Sequence, residues 1–165
     1  VNMDTSQQHH GLWLIGITIL LALLLSLVPM EGVSAWARPD WLLLVMFFWL
    51  LALPGQIGVV TCWFCGLLQD ILYGAVLGQN AFAMAVIAYI VLVSYQRLRM
   101  FSLHKQAALV ALLALFRILV DQWAQNINGV TQTHWLVFLP ALTTCLLWFV
   151  IRPAIGWLQR MVVVF

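Results

Sequence analysis

The constraint that most limits this chain is where its charges are not. Residues 5–30, 41–69, 71–96 and 122–151 contain no Asp, Glu, Lys or Arg. Each run is longer than the ~20 apolar residues that a bilayer-spanning helix needs. A membrane β-barrel would instead show alternation over segments of ~10 residues, and residues 20–25 and 41–53 are apolar at consecutive positions. With 65% hydrophobic and 7% charged residues, the chain could not cover a water-facing surface, since soluble domains carry ~25% charge. A soluble enzyme and a disordered tail are excluded on this ground. Seven Lys+Arg against five Asp+Glu give a formal charge of only +2, with no basic tract, so no nucleic-acid partner is expected.

The expected fold is an all-α integral membrane protein with six transmembrane helices, at about 12–28, 39–53, 56–72, 81–95, 106–124 and 134–151. Pro54-Gly55 divides the second long run, and Pro39 suits a first helical turn. The helix at 39–53 is short for a span, so a re-entrant hairpin through 41–69 is the alternative. Six spans put Arg97, Arg99, Lys105, Arg152 and Arg160 on the face of both termini and leave only Arg38 opposite; five divide them more evenly. The sharper asymmetry predicts cytoplasmic termini. Residues 1–11 then form a cytoplasmic tail, 12–151 the membrane domain and 152–165 a cytoplasmic C-terminal segment. The first apolar run is expected to be a retained helix rather than a signal peptide, because it follows Asp4 without Lys or Arg and exceeds the usual ~7–15 residues.

Ionisable groups inside spans cost ~2.5–3.5 kcal/mol each at a helix centre. Three need explaining: Asp70 in the third helix, and Arg117 and Asp121 in the fifth. At 1.5 Å per residue all three lie at similar depth in the outer half. Arg117 and Asp121 are four apart and share a face, which suggests a local pair. Asp70 is expected to face Arg117 across a helix interface. Gly66, Asp70, Gly74 and Gly78 recur every fourth residue, a small-residue stripe where helical; the later glycines are alternatively an outer turn. Gln69, Gln79, Asn80, Gln125, Asn126 and Asn128 read as polar loop tips. Cys62 and Cys65 read as buried packing, and no metal, cofactor or catalytic group is expected.

At these residues the chain resembles a family. Arg38-Pro39-Asp40 opens an apolar span ending Trp49-Leu-Leu-Ala-Leu-Pro54, and Gly66-Leu-Leu-Gln-Asp70-Ile-Leu-Tyr-Gly74-Ala-Val-Leu-Gly78 follows. Together they resemble the bacterial rod shape-determining protein MreD family, most closely over residues 38 to about 97. The resemblance implies a non-enzymatic inner-membrane scaffold of the cell-elongation complex. It implies as partners the single-span protein MreC, the MreB filament, and RodA with penicillin-binding protein 2. It also implies a fold related to the substrate-binding components of vitamin transporters, an analogy that does not establish transport.

A small-solute or lipid-binding transporter subunit is the rival reading. An intramembrane hydrolase is a third, for which Ser94 or Cys65 would need a His at matching depth. Arg97, Arg99 and Lys105 form a cytoplasmic basic loop suited to anionic membrane lipids or a filament.

Overall fold

The computed structural model describes residues 5–28, 37–127, 129 and 135–163. These form six α-helices: α1 Thr5–Leu27, α2 Trp41–Ala52, α3 Val59–Tyr73, α4 Gln79–Arg99, α5 Leu103–Ile127 and α6 Leu139–Val163. A 3-10 turn, Trp135–Phe138, precedes α6. The expectations for Asn128 and for a helix start at 134 lie outside the described residues.

A helix that is apolar on every side has to be surrounded, and α2 is one. Every residue from Leu42 to Leu51 is buried, and α1, α4, α5 and α6 pack around it. Trp49 donates from its indole Nε1 to Thr18 Oγ1 on α1 at 2.9 Å. That hydroxyl lies 2.9 Å from the Leu14 and Ile15 carbonyls, to which its proton is given, so neither polar group is stranded in the core. At twelve residues, α2 rises only about 18 Å. A helix shielded from lipid need not match the bilayer's thickness.

The outer faces carry the opposite pattern. Leu142, Leu146 and Val150 repeat every fourth residue along α6 and are exposed, as are Leu112, Leu119 and Trp123 on α5. Apolar surface this extensive is a liability in water and the correct surface in hydrocarbon. Three helical segments, Gln79–Arg99, Leu103–Ile127 and Leu136–Leu158, are long and apolar enough to cross a membrane. The other apolar segments, Trp13–Leu27, Trp41–Ala52 and Val59–Tyr73, are shorter. The protein is a membrane protein, all-helical among the described residues.

Helix ends depart from expectation: α2 opens at Trp41 with Asp40 as its N-cap, so Pro39 stands before the helix rather than in its first turn, and α4 and α5 extend past both expected ends. α1 begins at Thr5, inside the stretch expected to be a tail. α6 continues to Val163 through Pro153, beyond the expected stop at 151. Proline removes one N–H, which would have served the Phe149 carbonyl, and membrane helices tolerate this interruption.

Candidate functional site

The polar groups that the sequence places at similar depth meet at one end of the bundle, but with different partners. Arg117, in the second half of α5, is buried. Its Nη1 donates to both Asp40 carboxylate oxygens at 2.7 and 2.6 Å. Nη2 donates to Gln69 Oε1 at 2.5 Å and to Asn80 Oδ1 at 2.7 Å, and Nε reaches Asn80 Oδ1 at 3.3 Å. A single guanidinium thus ties α5 to the starts of α2 and α4 and to the end of α3. Arginine suits this position because its planar fork offers several donors in fixed directions.

Asp40 holds its place by serving two roles. It is the N-cap of α2, where its Oδ1 accepts from the Leu43 N–H at 3.1 Å. Its own N–H donates to Thr144 Oγ1 on α6 at 3.0 Å. Two residues earlier, Arg38 donates to the Ser26 and Val28 carbonyls at the end of α1, and its guanidinium lies 5.8 Å from the Tyr73 ring centre. The Arg38-Pro39-Asp40 segment therefore fastens α1 and α6 to the same cluster.

The expected Asp70–Arg117 pair is not formed. Asp70 is fully buried and spends its carboxylate on the first turn of α4, accepting from Gly78 and Asn80 N–H at 2.9 Å each and from Ala81 N–H at 3.3 Å. The reason is local. Gly78, the N-cap of α4, has no side chain with which to cap, so the free amides and the positive helix end are satisfied from the preceding helix. Nor is the local Arg117–Asp121 pair made: Asp121 accepts from Gln79 Nε2 at 2.6 Å, while Arg117 turns to Asp40.

The glycine stripe resolves into one packing glycine and two turn glycines. A Cβ at Gly66 would sit 2.6 Å from the Asn80 carbonyl oxygen and 2.7 Å from Ala81 Cα, so α3 and α4 touch backbone to backbone there. Gly74 (φ 61°) ends α3 and Gly78 (φ 96°) precedes α4. Both have the left-handed backbone that glycine adopts without strain. They shape the turn that returns α4 beneath the Asp70 carboxylate.

Gln69 and Asn80 are the residues that sequence reasoning assigned to the wrong role. Both are buried and complete the shell around Arg117 rather than tipping a loop. The available signal was position: Gln69 adjoins Asp70, and Asn80 falls in the first turn of the next helix. A cavity of about 220 Å³ adjoins the cluster, bordered by Asp40, Gln69, Arg117, Asp121 and Thr144.

Elsewhere, Cys62 and Cys65 are free, buried thiols on α3. His104, at the start of α5, packs its ring against Phe149 at 5.5 Å. Arg97, Arg99 and Lys105 are exposed at the opposite end of the bundle from Arg117, and the Lys105 ammonium lies 5.9 Å from the Phe101 ring centre.

Comparison with known proteins agrees with the motif. The profile of the family described as rod shape-determining protein MreD matches residues 7–155. The chain is 31% identical over 130 residues to the rod shape-determining protein MreD of Haemophilus influenzae, covering 78% of this chain and 80% of that one. No solved structure matches significantly.

Proposed function

The chain belongs to the MreD family of rod shape-determining proteins, and from that premise we propose that it acts in rod-shape determination as a non-catalytic scaffold of the bacterial inner membrane. It crosses the membrane six times with both termini in the cytoplasm, residues 12–151 forming the membrane domain. On this reading it joins an MreC-like single-span protein to the elongation machinery, with an MreB-like filament, RodA and penicillin-binding protein 2 as further partners. Alternation of the helix ends supports the topology: Arg117 with its partners Asp40 and Asn80, and Asp70 and Thr144 bonded to the same two residues, lie at one end, and the basic residues after α4 lie at the other.

The observation that carries the scaffold reading is how the intramembrane charges are used. Arg117 and Asp40 bond to each other, and Asp70 bonds to the backbone amides of α4. Charges consumed in this way close a bundle into a rigid body that presents fixed faces to partners. A proton or solute path uses its ionisable groups along a water-filled route. The roles of Arg38, Pro39, Asp40, Gly66, Asp70, Gly74, Gly78, Arg117 and Asp121 are on this view architectural. The rival, a solute-binding transporter subunit, would not find its site beside Arg117, where the cavity of about 220 Å³ is below the ~300–1,000 Å³ usual for ligand clefts.

Purification of the full chain from native membranes, with identification of what travels with it, separates the two readings. An MreC-like single-span protein in stoichiometric amount is expected. An ATPase motor or a bound small solute in its place would refute the scaffold.

A further inference from the structure

At the end of the bundle away from Arg117, the short central helix leaves space. α2 stops at Ala52 while its neighbours continue, and a cavity of about 970 Å³ opens below its last turns, walled by Phe48 and Leu51 above and by α4, α5 and α6 around. This is near the upper end of the range for ligand clefts. Arg99, from the end of α4, and Arg152 and Arg160, from the second half of α6, all line it. None of the three has an acidic partner among the described residues. Three uncompensated guanidinium groups around one hollow at a membrane edge repel one another, an arrangement that an anion relieves.

The wall adds a second, independent feature. Gln106 and Trp148 are both buried and both line the cavity. Gln106 gives its Nε2 proton to the Leu98 carbonyl at 2.9 Å, and its Oε1 has no partner; the Trp148 indole Nε1 has none either. A buried indole N–H normally finds an acceptor, and buried polar groups without partners are uncommon in native proteins. One donor and one acceptor thus stand beside three cations and an apolar wall.

We propose that this cavity binds an anionic phospholipid whose headgroup carries a phosphodiester and a free hydroxyl. The phosphate oxygens accept from the arginine forks, which suit that group better than an ammonium would. An ester or phosphate oxygen accepts from Trp148 Nε1, the headgroup hydroxyl donates to Gln106 Oε1, and an acyl chain lies along Phe48, Leu51 and Trp157. Basic pockets between membrane helices on the cytoplasmic side hold anionic headgroups in this manner. The inference rests on the membrane orientation proposed above and not on the scaffold role, so partner capture can fail while lipid binding stands, and the reverse.

The test is native mass spectrometry of the delipidated full chain in neutral detergent, offered phosphatidylglycerol and phosphatidylethanolamine in equal amounts. One retained phosphatidylglycerol is expected, against little phosphatidylethanolamine. R99Q/R152Q/R160Q should weaken retention roughly tenfold or more, and Trp148→Phe, which keeps an aromatic ring and every charge but removes the N–H, roughly fivefold. R97Q/K105Q, basic residues on the same face but outside the cavity, should weaken retention far less than the triple variant does. Equal uptake of the zwitterionic lipid, displacement by inorganic phosphate, an equal loss in R97Q/K105Q, or unchanged retention in Trp148→Phe would each overturn the assignment. Trp148→Phe decides the matter if the triple variant does not fold.

Discussion

Replacing Arg117 by methionine, of similar length and without charge, tests the polar cluster where the chain depends on it most. Three groups lose their donor together: the Asp40 carboxylate, Gln69 Oε1 and Asn80 Oδ1. Leaving one member of a buried ion pair alone costs ~3–5 kcal/mol, and an orphaned amide oxygen adds ~1–3 kcal/mol unless it finds water. Asp40 still accepts from Leu43 N–H, and its side chain is 16% exposed, so water partly relieves it. The cavity beside the cluster offers the same relief to the amides. These opposing effects place Arg117→Met at about 3–5 kcal/mol, near the cost of the lone carboxylate. Asp40→Asn should cost less, about 2–3 kcal/mol, because Arg117 keeps both amide oxygens. The double variant should recover part of the loss, with a coupling of ~1–3 kcal/mol. Unfolding followed by tryptophan fluorescence in mixed micelles reads all four proteins. The same cycle built on Asp70 and Arg117 is the control: they share only Asn80 and do not touch, so their coupling should be clearly smaller. Equal coupling in the two cycles would refute the pairing described here and favour a direct Asp70–Arg117 contact.

Gly66→Ala gains ~1 kcal/mol of helix propensity but drives a methyl into α4 backbone that no side-chain rotation can relieve, a cost of ~1–3 kcal/mol or more; thermal unfolding in detergent should show net loss, and a neutral result would mean that α3 and α4 are not in backbone contact. Asp70→Asn keeps the shape while removing the charge from the amides of α4, so a loss of about 1–3 kcal/mol is expected, with hydrogen exchange rising first at residues 79–82. For topology, Ser102→Cys should resist a membrane-impermeant thiol reagent applied to intact cells while Asn126→Cys reacts; labelling of Ser102→Cys would overturn the six-span orientation. Neutralising Arg97, Arg99 and Lys105 together should reduce recruitment of a cytoskeletal filament if that loop docks it, as read by co-localisation, whereas unchanged recruitment with correct insertion would leave Arg97 and Lys105 only a topology signal.

Most of the helices were legible in the sequence because they are written largely in long uncharged runs with breakers between, and hydrophobic length is a property of the segment alone; α5, which carries Lys105, Arg117 and Asp121, is the exception. The central position of α2 was legible in principle as well: a stretch from Trp41 to Ala52 with no polar face has no side fit for water, yet it is too short to span comfortably. The expectation weighed that length as a doubt about the span, when it also marks a helix screened from lipid by its neighbours. The stop placed at 151 failed because the uncharged run ends there, before Arg152: a charge marks where apolar surface ends and not where the helix does, and α6 runs on through Pro153 to Val163.

Partners of the charges were not legible, and the difficulty is physical. Arg117 had three acids within plausible reach, and the spacing of four to Asp121 made that one look nearest. What decides among them is where unsatisfied backbone amides lie, a matter of helix ends rather than of side-chain spacing. Gly78 opens α4 without a capping side chain, so Asp70 is claimed by three N–H groups that have no other acceptor. Asp121 is claimed by Gln79 in the same turn. Asp40, placed by Pro39 at the mouth of a helix that needs only one of its oxygens, retains capacity to accept from Arg117. In lipid, where water cannot stand in for a missing partner, backbone groups take their acceptors first and the cation pairs with the acid that remains. An Asp in the last turns of the helix that precedes a glycine-opened helix in such a chain is therefore better read first as a cap, and only then as a counter-ion.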